Sequence, residues 1–233
     1  MHHKDSGLTI TIDGPAAGGK SSLARNLALK TGYRYINTGD LYRYITYCAL
    51  QANMDVKNCE EMEKLSKNIV DHFLNKNDSK NNLQQFINQK QSIIQKIHSP
   101  EINNNVSYIA QIPAVRKNMI PLQRILARGG AVIIEGRDIG SVILPDADLK
   151  FFIEADEQTR IMRRYKELKE KGYSVTFFDV KEEITTRDFI DSQRKVAPLI
   201  KPKDAIVINT SNRNIDEVVQ IMFEIVQKHA REN

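Results

Sequence analysis

Residues 14–21 read Gly14-Pro15-Ala16-Ala17-Gly18-Gly19-Lys20-Ser21. They satisfy G-x-x-x-x-G-K-[ST] at every fixed position. A glycine-rich turn of this kind aims backbone N–H groups at a phosphate chain. Lys20 then reaches the outer phosphates and the Ser21 hydroxyl ligates Mg²⁺, with Ser22 next in line. Such a motif functions only when a strand precedes it and a helix follows. Leu8-Thr9-Ile10-Thr11-Ile12 is a short apolar, β-branched run. Leu23, Ala24, Leu27 and Ala28 recur at helical spacing, and Gly32 is placed to stop that helix.

Further apolar runs read as buried strands: Tyr33 to Ile36, Ala131 to Ile134, Leu149 to Ile153 and Ala205 to Ile208. Helical patterns lie between them, which predicts an α/β fold with a parallel sheet covered on both faces. In such sheets ligands sit beyond the C-terminal strand ends. The polar segments fall at those ends: the glycine loop, Asn37-Thr38-Gly39-Asp40, and Glu135-Gly136-Arg137-Asp138. From about Glu60 to Gln95 the composition shifts to Asn, Gln and Lys. That stretch predicts an inserted subdomain, with Asn75 to Asn82 as a loop and Leu83-Gln84-Gln85-Phe86-Ile87 available for a hairpin. Glu157 to Lys171 is a charged helical pattern carrying Arg160, Arg163 and Arg164, stopped at Gly172. A charged helix is usually a solvated face; beside a nucleotide it could also close as a lid.

With 233 residues the chain suits a single α/β domain with one insertion. Its net charge is +5. Many arginines occur singly beside Asp, Gly or aromatic residues, without a continuous basic tract, so small phosphorylated ligands are favoured over nucleic acid. No apolar run approaches the ~18 residues that span a bilayer, and the N-terminus lacks an apolar signal core. Cys48 and Cys59 are not in a C-x-x-C pair and read as thiols. A cytoplasmic protein, working as a monomer without a membrane partner, is the expectation.

A transferred phosphoryl group needs fixed cations around it. Arg43, Arg116, Arg137, Arg187 and Arg194 could supply guanidinium forks for an acceptor phosphate. Arg187, Asp191 and Arg194 are spaced by four and three residues and share one helix face. Spacing leaves two readings open, an intrahelical salt-bridge ladder and a ribose-and-phosphate clamp.

Taken in order along the chain, these segments resemble the bacterial-type cytidylate kinases among the P-loop nucleoside monophosphate kinases. The resemblance rests on Thr11-Ile12-Asp13-Gly14-Pro15, Thr38-Gly39-Asp40-Leu41-Tyr42-Arg43, Glu135-Gly136-Arg137-Asp138-Ile139-Gly140, Glu170-Lys171-Gly172-Tyr173, and Arg187-Asp188 through Arg194 into Val196-Ala197-Pro198-Leu199. It implies a three-layer P-loop fold over 1–233, with an inserted monophosphate-binding segment near 60–112 and a helical lid near 157–175. It implies transfer of the γ-phosphoryl group of ATP to CMP, and to dCMP, with Mg²⁺. Gly14 through Ser22 would bind ATP. Lys20, Arg137, Arg163 and Arg164 would stabilise the transferred group. Arg43, Arg137 and Arg194, with Thr38, would hold the acceptor phosphate. Asp191 and Arg187 would hold the pentose, and Ser107, Arg116 and Asp138 the cytosine. Three departures stand out: Ala17 and Gly18 where many relatives carry Gly or Ser, Asp40-Leu41 where the usual pattern has Ala-Met, and Glu135 where some relatives carry Asp.

Three rivals are weaker. An adenylate or uridylate kinase does not account for the Ser107, Arg116 and Asp138 set. A regulatory GTPase is suggested by Asn75-Lys76-Asn77-Asp78, an N-K-x-D match, but no D-x-x-G accompanies it. A nucleic-acid-dependent ATPase rests on basicity alone.

Overall fold

A computed structural model describes residues 7–74 and 94–232. The expected loop at Asn75 to Asn82, the N-K-x-D match within it and the expected hairpin at Leu83 to Ile87 lie outside the described residues. In chain order the elements are β1 (Thr9–Asp13), α1 (Lys20–Thr31), β2 (Arg34–Asn37), α2 (Thr38–Gln51), α3 (Cys59–Leu74), α4 (Pro100–Ala110), α5 (Pro113–Ala127), β3 (Val132–Glu135), a π-helical turn (Ile139–Ile143), β4 (Leu149–Glu154), α6 (Glu157–Glu170), α7 (Phe177–Gln193), β5 (Ile206–Asn209) and α8 (Ile215–Glu232). The chain divides into two compact units. One is Met1–Asn37 with Ala127–Asn233, the other Thr38–Leu126. The segment 60–112 lies within the second.

The first unit is built on a five-stranded sheet in the order β2-β3-β1-β4-β5. Each neighbouring pair is parallel. The chain reverses its direction of travel around β1, so the loop after β1 opens where flanking connections diverge, the usual place for a ligand. Alternation sorts the two faces. Ile10, Ile12, Ile133, Phe151, Ile153 and Ile208 pack with Leu23, Ala24 and Leu27 of α1 and Val218, Val219, Met222 and Val226 of α8. Thr11, Asp13 and Lys150 fall between those positions and are also buried.

Every strand ends one residue beyond its apolar run. β1 ends at Asp13, β2 at Asn37, β3 at Glu135, β4 at Glu154 and β5 at Asn209. Each run was bounded by its last apolar residue, yet the ladder continues one residue into the polar end. Those five polar side chains form the C-terminal rim of the sheet.

α1 begins directly at Lys20, behind Gly19 in left-handed conformation with φ 90°. Its first turn has no acidic residue, so no carboxylate neutralises its positive end. Gly32 closes it with φ 72°. α6 starts from Asp156, whose carboxylate accepts from Thr159 N at 2.7 Å. α7 starts from a Thr176/Asp179 capping box. It is a 17-residue helix, longer than the 186–194 pattern that marked it. Ile161 and Leu168 of α6 meet Val180 and Ile184 of α7 in a small core of their own.

The second unit is helical throughout its described residues. α3 covers the start of the stretch whose composition differs. α4 has Ser99 as N-cap and Pro100 at its first turn. Val115, Met119, Leu122 and Leu126 form the buried side of α5. Among the described residues no helix is long and apolar enough to cross a membrane. Cys48 and Cys59 are free thiols.

Candidate active site

The loop 14–21 has the conformation its glycines allow. Gly14 has φ 145°, and a Cβ there would lie 2.2 Å from the carbonyl oxygen of Ile153. Only glycine lets β1 turn so close to β4. Ala17, by contrast, sits at φ 54° despite its methyl. Lys20 is 5 % exposed, and its Nζ donates to Pro15 O at 2.5 Å. Burial pushes the Lys20 pKa well below the usual lysine value; Arg137 pushes it further, Glu135 opposes, Arg187 adds to the fall and Asp13 opposes. Arg137 and Arg187 therefore act on Lys20 from nearby, with Glu135 and Asp13 partly offsetting them.

Ser21 Oγ donates to Glu135 Oε2 at 3.0 Å, and the Tyr35 hydroxyl donates to the other carboxylate oxygen. A hydroxyl and a carboxylate side by side are hard oxygen donors, and Mg²⁺ takes one or two such protein ligands beside phosphates and water. The residues present fit that ion. Among the described residues no cluster of three or more His, Cys, Asp or Glu is placed to hold a metal ion. Ser22 is exposed at the start of α1.

Asp13 is fully enclosed. Its Oδ1 accepts from Ile139 N at 2.9 Å and its Oδ2 from Gly140 N at 2.7 Å. Burial raises its pKa to about 6, against the pull of those two amides; Asp138 adds to the rise and Lys20 opposes it. The carboxylate ties the end of β1 to the turn that follows Arg137 and Asp138.

Arg137, Asp138, Asp191 and Arg194 form one chain of charges, in which Arg137 is partly exposed and the other three are buried. Arg137 Nε donates to Asp191 Oδ2 at 2.8 Å. Arg194 Nη1 lies 3.5 Å from Asp191 Oδ1, and Arg194 Nη2 donates to Asp138 Oδ1 at 2.9 Å. Arg194 also donates to Ala197 O at 2.5 Å. Burial pushes the Asp191 carboxyl upward, but Arg137, Arg187 and Arg194 together outweigh it and hold the pKa below the usual range. An intrahelical ladder alone does not describe α7, because Asp191 is bound most closely to Arg137 at the end of β3.

The three arginines of α6 differ. Arg163 Nη1 donates to Thr210 Oγ1 at 3.0 Å and Nη2 to Thr210 O at 2.5 Å. The same guanidinium lies 3.9 Å from where a Cβ on Gly19 would stand, beside the loop. Arg164 pairs with Glu167 at 3.1 Å and Glu183 at 3.3 Å, within the helix pair. Arg160 reaches the loop itself, donating to Ala16 O at 3.0 Å and to Asp188 Oδ2.

In the second unit, Thr38 is buried at the start of α2. Arg43 Nε donates to Asn103 Oδ1 at 3.1 Å, and its Nη1 lies 3.8 Å from Asp40. His98 Nε2 lies 3.0 Å from the same Asp40 oxygen. Ser107 is buried on α4. Arg116, 1 % exposed, donates to Ala110 O at 3.2 Å and lies over the Tyr42 ring at 5.7 Å.

A family model described as Cytidylate kinase matches residues 10–228. The chain belongs to the cytidylate kinase family. It is 44% identical to the cytidylate kinase of Alkaliphilus metalliredigens over 93% of this chain and 94% of that one. It is 44% identical to that of Anoxybacillus flavithermus over 95% of this chain and 96% of that one. The Clostridioides difficile cytidylate kinase is 42% identical over 95% and 97%.

For this member of the cytidylate kinase family, sequence reasoning passed over two contacts. Asp188 was noted only as part of a motif, yet its Oδ1 accepts from Ala16 N at 3.0 Å. Asp13 stood only as a neighbour of Gly14. A buried carboxylate inside an apolar strand, Ile10-Thr11-Ile12-Asp13, was the available signal for Asp13, since such a group must find donors.

Proposed function

We propose that this chain is a cytidylate kinase, transferring the γ-phosphoryl group of ATP to CMP to give CDP and ADP. Within the geometry, the tight Gly14 turn that leads to a buried Lys20, with Ser21 hydrogen-bonded to Glu135 beside it, carries the reading. Such a site favours ligands with several negative charges and favours most a state in which that charge spreads over transferring oxygens. Lys20, the amides of Gly18 and Gly19 and the positive end of α1 hold the donor phosphates. Ser21 and Glu135 would hold or orient Mg²⁺, which when bound with ATP would supply positive charge for the phosphates. Arg137 stabilises the transferred group, and Arg163 lies beside Gly19 of the loop. The acceptor's phosphate oxygen is itself a competent nucleophile, so no covalent enzyme intermediate is required.

For the acceptor, the family resemblance assigns phosphate contacts to Thr38, Arg43, Arg137 and Arg194, pentose contacts to Arg187 and Asp191, and cytosine contacts to Ser107, Arg116 and Asp138. Arg194 pre-aligns Asp138 as an acceptor facing an exocyclic amine. Uracil presents a carbonyl there, which a carboxylate repels. Use of dCMP, a monomeric state and a cytoplasmic site of action belong to the same proposal; the two free thiols are in keeping with the last.

Phosphate transfer from MgATP to each of CMP, dCMP, UMP and AMP tests it. CMP and dCMP are expected to react fastest. Equal turnover of UMP and CMP would overturn the assignment.

A further inference from the structure

The peptide of Ala16 is gripped from two helices. Asp188 of α7 takes its N–H at 3.0 Å, and Arg160 of α6 donates to its C=O at 3.0 Å. The two side chains are themselves paired, and only 9% and 23% of their surfaces are exposed. The next residue, Ala17, holds φ 54°. For an L-residue with a Cβ the left-handed region is disfavoured, because Cβ crowds the following carbonyl oxygen. The methyl of Ala17 packs on the Ile161, Leu168, Val180 and Ile184 core that joins the same two helices. So the crest of the loop is fixed by one ion pair and one apolar contact, both from α6 and α7, and its bend opposes the backbone preference of the residue standing there.

We infer that Arg160 and Asp188 are positioning residues for the donor site: by clamping the Ala16 peptide they hold Ala17 in its left-handed conformation and keep the loop amides aimed at the ATP phosphates. The inference rests on the reading of residues 14–21 as the ATP loop. Neither side chain needs to touch the nucleotide. Asp188 is paired with Arg160 and Ala16, so α7, which also carries Arg187 and Asp191, is mechanically joined to the loop. An anion seated on the loop would therefore tighten α6 and α7, and loosening the clamp would weaken the anion.

Calorimetric titration of MgATP and, separately, of CMP reads the clamp without depending on turnover. Asp188→Ala removes a charge-assisted bond to the loop, so MgATP affinity should fall about tenfold, the scale of one such bond. CMP affinity should stay within about twofold, a margin well under that of a lost charged contact. The isosteric Asp188→Asn keeps an acceptor for Ala16 N–H and loses only the ion pair, so its loss should be smaller; it also serves if the alanine variant folds poorly. Adding Ala17→Gly to Asp188→Ala removes the conformational penalty that the clamp had been resisting. That double variant should recover about threefold or more of the MgATP affinity, from the left-handed cost alone. Equal weakening of MgATP and CMP, or no recovery on adding Ala17→Gly, would overturn the inference and leave the pair a general brace. The titrations are decided separately from the substrate panel, because a protein that bound MgATP but failed to phosphorylate CMP would fail only the panel.

Discussion

Asp13→Asn gives the sharpest test of the strand-end electrostatics. In the folded protein the Asp13 carboxyl rises from the ordinary 3.8 to about 6. A raised acid binds its proton more tightly folded than unfolded. Between pH 3.8 and about 6 the folded state therefore holds more protons, and stability falls as pH rises through that window. Above it the cost is constant. A rise of this size corresponds to about 3 kcal/mol, at 1.36 kcal/mol for each tenfold change in proton affinity. Asparagine removes that cost but cannot match both amides. Its single oxygen serves one of Ile139 N and Gly140 N, and its NH₂ faces the other, a loss of about 1.5–3 kcal/mol. Near pH 7 the two effects nearly cancel, so the variant should be about as stable as the wild type. Near pH 4.5 the wild type regains most of its penalty and should exceed the variant by about 2 kcal/mol, from the same balance. Urea denaturation of both proteins from pH 4.5 to 7.5 measures the difference, and common titrations cancel in it. A difference that is flat with pH, or that grows in favour of the wild type as pH rises, would refute the reasoning.

Lys20→Ala should lower turnover on the order of a hundredfold or more, the cost of one charge-stabilising contact at a transferring group, as read from steady-state kinetics with MgATP and CMP. Gly14→Ala should yield little folded protein, or lose more than about 4 kcal/mol in denaturant titration, because its Cβ would meet Ile153 O at 2.2 Å in a φ region closed to alanine. Asp138→Ala should narrow the ratio of CMP to UMP turnover by about tenfold, the worth of one buried polar contact, while the KM for ATP holds. Arg194 keeps Asp191 at 3.5 Å in that variant, so the guanidinium is not stranded.

The parts legible in the sequence are those carried by local period and by residue types with narrow uses. β1, the loop and α1 were readable because Gly14, Gly19 and Lys20 are each demanded by a backbone angle or a charge at fixed spacing. The five strands were readable because each carries a short run rich in apolar and β-branched residues, although only β1, β3 and β4 are largely buried, while β2 is half-buried and β5 is mostly open to solvent. Their ends were not, since Asp13, Asn37, Glu135, Glu154 and Asn209 look like loop residues until the ladder is seen to include them. α7 was under-read because its first half, from Phe177, mixes exposed aromatics with charge and shows no clean stripe.

Side-chain pairing is harder to see for a physical reason. A helical period relates residues three or four apart, whereas the contacts that shape this site span far more chain. Arg137 and Asp191 are 54 residues apart, Arg194 and Asp138 are 56 apart, and Ala16 and Asp188 are 172 apart. For Asp191 the local rule pointed to Arg187 and Arg194, and both act on it, but it could not show the third partner. The closer bond goes to Arg137, because the end of β3 brings a third guanidinium to a carboxylate already buried by α7. A buried carboxylate gains most from several donors at once, and one helix face cannot supply them in suitable geometry. Convergence of segments distant in the chain is thus what gives the site its charge density, and that density is what a phosphoryl-transfer site needs.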